Sequence, residues 1–288
     1  MTVAHAHARA HARAHAPGAG AGGAPSARAA DAARAARVVR SLAHATLLEA
    51  WRSRWPAAAL LAAATIAGLT AFAGAIALAE PGAVAIALGA PLARIAAVLV
   101  LATFAASALS RELADGSIDL VLAAPISRLG WILGRWTGLA AVAAGTALAV
   151  SAPLAAHAPP LALAAWAASL WMELCIVGGL VLLLSISFAQ VPATLLSLLA
   201  FYAASRLIGV FLLLAERAPI EGPRLVARLG DAVLAVLAHL LPRLDLFART
   251  EWLLDAGSAR PGPAVLQTLV WVAIVPAAAW IDFGRRRG

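Results

Sequence analysis

Few side chains in this 288-residue chain are of the types that do chemistry, and their spacing builds no hydrolytic site. The acidic residues are scattered, and His44, His157 and His239 have no catalytic partners at a useful spacing. The single cysteine, Cys175, leaves no disulfide and no cysteine-based metal site. The segment near the N-terminus contains His5, His7, His11 and His15. It could be a metal-binding cluster, a transit peptide or a disordered basic tail. The disordered tail is favoured, because the segment has few apolar side chains to bury.

The chain contains no lysine, so its net charge of +8 arises from 22 arginines against 14 acidic residues. A phosphate-binding loop of the Walker type needs a lysine that reaches the nucleotide phosphates. The sequence therefore excludes such a site in this chain. ATP and Mg²⁺, if the protein depends on them, must be bound by a partner, and we expect this chain to bind no cofactor and to have no catalytic residue.

The densest group of charges lies between two long apolar runs, in the segment from Ser110 to Arg128. The 30 residues before this segment hold only Glu80 and Arg94 as charged residues. The 110–128 segment itself holds five: Arg111, Glu112, Asp115, Asp119 and Arg128. A polar segment between two apolar runs indicates a loop that lies outside the membrane and connects two spans.

We predict a short helix within the 110–128 segment. Gly116 allows a sharp turn, and Ser117 is a favourable N-cap for a helix that begins after it. Pro125 ends the helix, because the residue before a proline avoids the α conformation. One face is apolar, at i, i+3 and i+4 spacing: Ile118, Val121 and Leu122. Such a helix suits docking to a partner protein, whereas the alternative is an ordinary polar loop.

The composition is that of an all-α integral membrane protein. Hydrophobic residues make up 63% of the chain and charged residues 12%, with a mean hydropathy of +0.89, whereas about a quarter of the residues in a globular domain are charged. About 20 apolar residues suffice to cross the hydrocarbon core. Six runs meet this requirement, at about residues 56–78, 91–109, 131–154, 161–187, 192–214 and 265–281.

The remaining segments flank or interrupt this transmembrane domain, which we place at residues 38–288. Residues 1–37 are predicted to be a disordered tail. Residues 38–55 are predicted to form an amphipathic helix in the headgroup zone, with an ordinary linker as the alternative; its apolar face is expected to hold Val38, Leu42, Leu48, Trp51 and Trp55. Residues 215–263 are expected to form one or two amphipathic helices at, or partly within, the membrane.

Two ionisable residues lie within predicted spans, Glu173 in the fourth and Arg206 in the fifth. Each is roughly 12–18 Å from the outer end of its span. Because an isolated charge at that depth is costly, we expect an ion pair between the adjacent antiparallel helices. A polar patch on a substrate path is the alternative. Arg94 is expected near the outer end of the second span, where its side chain can extend to water.

Arginine counting predicts the orientation, because cytoplasmic segments of membrane proteins are enriched in basic residues. With the N-terminus inside, the inner segments hold 14 arginines, and the turns near residues 80–90 and 155–160 hold none. The outer 215–263 segment holds six arginines that six acidic residues match. We therefore predict a multi-pass protein of the cell inner (plasma) membrane with both termini and the 110–128 segment in the cytoplasm.

Three features together resemble the membrane subunit of ABC-2 type ABC transporters. Residues 47–55, before the first span, are similar to that family's amphipathic connecting helix. Glu112, the Gly116-Ser117 pair and residues 125–128 are similar to its glutamate, Gly-Thr and Pro-hydrophobic-Ser-Arg pattern. Residues 241–247 are similar to a segment of its outer helices. Ser117 replaces the usual threonine, and residues 1–37 match nothing in the family.

The resemblance implies a permease that pairs with a second membrane subunit and binds a cytoplasmic ABC ATPase through a coupling helix after the second span. It assigns ATPase coupling to Glu112, Gly116, Ser117, Ile118, Val121, Leu122, Pro125, Ser127 and Arg128. It assigns the connecting helix to Glu49, Arg52, Arg54 and Trp55. Closure of the ATPase pair would tilt the spans as rigid bodies and move a substrate outward. By size and segment order, the nearest group is the one linked to maturation of multi-copper enzymes.

Two other classes of function are compatible with six spans. One is an ATP-independent channel or secondary carrier, which inverted repeats or several acids within the spans would favour. Glu173 is the only such acid in the predicted spans. The other is a scaffold in a membrane complex, which would not stimulate an ATPase. None of the three implies contact with nucleic acid.

Overall fold

The structure is a computed structural model, and it describes residues 27–115, 127–188, 190–217, 232–233, 236–237, 240–255, 257 and 261–286. These residues contain helices and turns and no strand. The α-helices are α1 (Ala27–Arg52), α2 (Trp55–Ile76), α3 (Pro81–Ala114), α4 (Arg128–Ser151), α5 (Pro160–Phe188), α6 (Val191–Arg217), α7 (Glu251–Leu254) and α8 (Gly262–Arg286). A 3-10 turn at Ala152–Ala156 extends α4.

Six of the helices are long and apolar enough to cross a membrane: α2, α3, α4 with its 3-10 extension, α5, α6 and α8. The predicted fold class, an all-α protein with six transmembrane helices, is confirmed. The chain is a multi-pass membrane protein.

Helix α5 lies at the centre of the bundle. In its most apolar stretch, 78% of the residues are buried by protein, against 22% for α2, α6 and α8. It packs against α3, α4, α6 and α8. Trp166, Leu170 and Leu174 on α5 are fully buried. The outer helices leave their other faces to lipid, since side chains such as Leu60 and Phe72 on α2 are more than 60% exposed.

Helix α1 packs along α4 through a stripe of glycines. Gly130, Gly134 and Gly138 recur every four residues and face Val38, Leu42 and Thr46 in the same order, so the two helices run parallel. A Cβ atom on Gly134 would lie 2.6 Å from the Leu42 Cβ atom, and one on Gly138 would lie 2.5 Å from the Thr46 Cβ atom. The backbones therefore approach more closely than any larger residue would allow.

Helix α1 begins earlier than the sequence predicted. Helix α1 begins at Ala27, so residues 27–37, predicted as disordered tail, are helical. Its buried positions continue the four-residue spacing of the contacts with α4, and Leu48 and Trp51 are exposed from the protein, Trp51 by 70%. Residues 1–26 lie outside the described part of the chain.

Within the 215–263 segment, residues 240–255 are inserted among the helices. It contains a 3-10 turn (Leu244–Leu246) followed by α7. Leu244, Phe247 and Ala248 are fully buried. The Ala248 backbone N–H donates a hydrogen bond of 3.0 Å to the Ser169 hydroxyl on α5. This part of the segment therefore contacts the central helix.

Candidate functional site

The structure gathers charged side chains into two clusters. The first, the Arg135 cluster, consists of Glu49 on α1, Arg111 and Glu112 on α3, and Arg135 on α4. The second, the Glu173 cluster, consists of Arg94 on α3, Glu173 on α5, and Tyr202 and Arg206 on α6. The two clusters include three of the predicted site residues outside the 110–128 segment and Glu112 within it.

Arg135 joins three helices in the first cluster. One guanidinium nitrogen lies 3.1 Å from a Glu49 carboxylate oxygen, and the other contacts the Glu112 carboxylate directly. The same group donates a hydrogen bond of 3.0 Å to the Thr46 hydroxyl. Only 12% of the Arg135 side chain is exposed. The planar guanidinium presents several donors in a fixed geometry, so it can hold both carboxylates at once.

The same cluster fixes both helices that lead into the 110–128 segment. Glu112 is near the end of α3, and it accepts a second hydrogen bond, 3.2 Å long, from the Trp131 indole in the first turn of α4. Ser127 caps α4, because its hydroxyl accepts the Gly130 N–H at 3.0 Å. Arg111 adds an exposed ion pair with Glu49 at 3.7 Å. The two ends of the segment are therefore bound to each other and to α1.

Most of the predicted docking helix lies outside the described residues: Gly116, Ser117, Ile118, Val121, Leu122 and Pro125. Of the other predicted coupling residues, Glu112 belongs to the Arg135 cluster, Ser127 is the cap of α4, and Arg128 is the first residue of α4. Sequence reasoning did not single out Arg135 as a site residue. Its position could have indicated this role, because Arg135 is a lone charge in the first turns of an apolar span, where a charge needs a partner.

The predicted connecting-helix residues lie at the junction of α1 and α2. Glu49 belongs to the Arg135 cluster, whereas Arg52 and Arg54 are exposed. The Trp55 indole donates a hydrogen bond of 3.0 Å to the Thr146 hydroxyl on α4. The junction is thus attached to α4 on both sides of the break between α1 and α2.

The Glu173 cluster contains the ion pair expected within the membrane. An Arg206 guanidinium nitrogen lies 3.3 Å from a Glu173 carboxylate oxygen, which also accepts a hydrogen bond of 2.8 Å from the Tyr202 hydroxyl. Glu173 is fully buried. Arg206 also donates to the Leu244 and Phe247 carbonyls of the inserted 240–255 segment. The pair therefore connects α5 and α6 to that segment.

Arg94 does not extend to water, contrary to the expectation from the sequence. Its guanidinium Nε lies 3.9 Å from the second Glu173 oxygen, its side chain is 11% exposed, and it donates to the Ala248 carbonyl. The error came from the boundary of the span. Helix α3 begins at Pro81 and continues through Pro91, so Arg94 is 13 residues, or about 20 Å, from its start.

Among the described residues, no three His, Cys, Asp or Glu side chains lie together as a metal site. The buried Cys175 has its thiol among apolar neighbours on α5. What the two clusters can do is hold helices together by charge and hydrogen bonding. No model of a known protein family matches the sequence, and comparison with curated proteins finds no similar sequence.

Proposed function

We propose that this chain is the permease subunit of an ATP-driven ABC transporter of the ABC-2 type, acting as an exporter. In this proposal both termini and the 110–128 segment are cytoplasmic, and the segment docks on a separate ATPase subunit. A second permease subunit, identical or related, completes the transporter. The chain supplies the path and the partner supplies the hydrolysis of ATP.

The observation that carries the proposal is the Arg135 cluster. A coupling element must transmit a displacement at its tip to the spans without bending at its attachment. Glu112 and Arg135 join the helices at the two ends of the 110–128 segment, and Glu49 extends that connection to α1. A force on the segment would therefore move α1, α3 and α4 together, as a rigid-body transition requires.

The motif within the segment supplies the docking chemistry. Ile118, Val121 and Leu122 have the spacing of one helical face, and the capping and breaking residues that flank them limit the helix to about two turns. The absence of lysine from the chain explains why the ATP site must be on another subunit. This combination favours a coupling role over a general scaffold.

Co-purification from native membranes tests the proposal. We expect the tagged chain to recover a subunit with Walker-type nucleotide-binding sequences, and Val121→Asp to lower that recovery by about tenfold or more, because the interface would bury an unpaired charge. Val121→Ile is the matched control and should retain the partner. Recovery of no such subunit, or recovery that survives Val121→Asp, would contradict the proposal.

A secondary carrier is the second candidate, and the Glu173 cluster is the observation that favours it. Ionisable groups within spans often mark ion or substrate pathways. Three such charges meet here, although the sequence alone identified only one pair. This candidate predicts normal transport without any ATPase subunit, so the same co-purification separates it from the exporter.

A further inference from the structure

A pocket of about 640 Å³ opens between the α1–α2 junction and α3. Its polar end is formed by Arg52, Arg54 and Arg111. Its other wall is apolar and includes Leu99, Val100 and Phe104. The pocket shares Arg111 with the Arg135 cluster, and none of its lining residues belongs to the Glu173 cluster.

The charged side chains at the polar end are all positive, and they are free to contact a ligand. No acidic side chain lines this pocket. Arg52 and Arg54 are exposed and form no ion pair within the part of the chain that the structure describes. Arg111 is 67% exposed, and its pair with Glu49 at 3.7 Å is a surface pair of the kind that contributes little. The three guanidinium groups can therefore turn to an anion.

The depth of the pocket matches one leaflet of a bilayer. Along α3, Phe104 is seven residues from Arg111 and Leu99 is twelve, which corresponds to about 10 Å and 18 Å. Half of the hydrocarbon core is about 15 Å thick. When the arginines lie at the level of the headgroups, the apolar wall follows an acyl chain to about the middle of the bilayer.

We propose that this pocket binds an anionic phospholipid from the leaflet next to the 110–128 segment. The phosphate contacts Arg52, Arg54 and Arg111, and one acyl chain lies along Leu99, Val100 and Phe104. Charge complementarity and the apolar wall together distinguish this ligand from a free phosphate and from a zwitterionic lipid. The bound lipid joins the α1–α2 junction to α3. The proposal does not depend on the identity of any ATPase.

Native mass spectrometry of the detergent-purified chain with equimolar phosphatidylglycerol and phosphatidylcholine tests it. We expect the wild-type chain to retain phosphatidylglycerol preferentially. The variant with Arg52→Gln, Arg54→Gln and Arg111→Gln should lose about tenfold or more of that preference, since each arginine near a membrane surface favours anionic lipid. The matched control carries Arg34→Gln, Arg37→Gln and Arg40→Gln, three exposed positions on α1 outside the pocket, and should keep the preference.

A second arm tests the acyl chain. Val100→Trp fills the apolar wall and should lower retention of phosphatidylglycerol while leaving binding of inorganic phosphate unchanged, and Val100→Leu should retain both. Equal losses in the two triple variants, or retention of lipid by Val100→Trp, would overturn the proposal. Dimerisation of the lipid-free chain through the pocket arginines would also overturn the proposal. If the triple variant does not fold, Arg54→Gln alone should lower the preference several-fold.

Discussion

Glu173 balances only one of the two guanidinium groups that approach it. Arg94 and Arg206 lie on opposite sides of its carboxylate, at 3.9 Å and 3.3 Å. The excess positive charge is met by backbone carbonyls of the inserted 240–255 segment, which accept hydrogen bonds from both arginines. The carboxylate is therefore the group on which the cluster depends most, because its loss leaves two buried like charges.

This charge count predicts that Glu173→Gln destabilises the protein more than Arg206→Gln. Loss of Glu173 leaves Arg94 and Arg206 without a countercharge, which for a buried pair costs about 3–5 kcal/mol. Loss of Arg206 leaves Arg94 facing Glu173 as a neutral pair. Thermal unfolding in detergent measures both, with Glu80→Gln, an exposed carboxylate, as the control. Equal unfolding midpoints for Glu173→Gln and Glu80→Gln would contradict the account.

At the scale of elements, the glycine stripe on α4 determines where α1 lies. A glycine-to-alanine change normally stabilises a helix by about 1 kcal/mol. At Gly134 and Gly138 the added methyl group would meet Leu42 and Thr46 at 2.6 Å and 2.5 Å. Steric overlap of this size forces the helices apart and costs about 1–3 kcal/mol. It would also lengthen the Arg135 contacts with Glu49 and Thr46.

We therefore expect Gly134→Ala and Gly138→Ala to lower the unfolding midpoint and to weaken the attachment of α1. Gly68→Ala on α2 is the matched control, because nothing lies within 4 Å of a Cβ atom there. Its midpoint should be unchanged or slightly raised. Protease accessibility of α1 supplies a second readout. A stable, protected Gly138→Ala variant would show that α4 does not hold α1 in this way.

The sequence predicted the elements better than their contacts. Apolar run length located the six spans, because membrane thickness alone sets that length. The predicted spans placed Glu173 and Arg206 on adjacent helices. They did not place Arg94 with this pair, because Pro91 was taken as the start of a span. Residues 38–55 were predicted as one apolar face, but Val38 and Leu42 contact α4, whereas Leu48 and Trp51 are exposed from the protein. Which helix covers which face depends on tertiary packing, which residue spacing alone does not specify.

At the scale of the whole molecule, the six spans and the distribution of arginines predict sidedness. With an even number of crossings, the residues before the first span and those after the last span lie on the same side of the membrane. Basic residues concentrate near that side, and the turn between α2 and α3 has none. The same prediction would place Arg52, Arg54 and Arg111 at the cytoplasmic leaflet.

Cysteine labelling in intact cells tests this orientation. Leu78 in the α2–α3 turn is fully exposed, so Leu78→Cys should react with a membrane-impermeant maleimide from outside. Ser127→Cys should react only after permeabilisation. The native Cys175 is buried and provides the low background in the unsubstituted chain. The reverse pattern of labelling would place the 110–128 segment outside the cell.

The central claim is that the 110–128 segment contacts an ATPase, and photo-crosslinking from residue 121 in living cells tests it most directly. A photoreactive amino acid at that position should form an adduct with a protein that has Walker-type sequences, whereas the same probe at Leu161, at the opposite end of the bundle and 78% exposed, should not. An adduct of equal yield from both positions, or no ATPase adduct from a folded chain probed at residues 118, 121 and 122, would contradict the account.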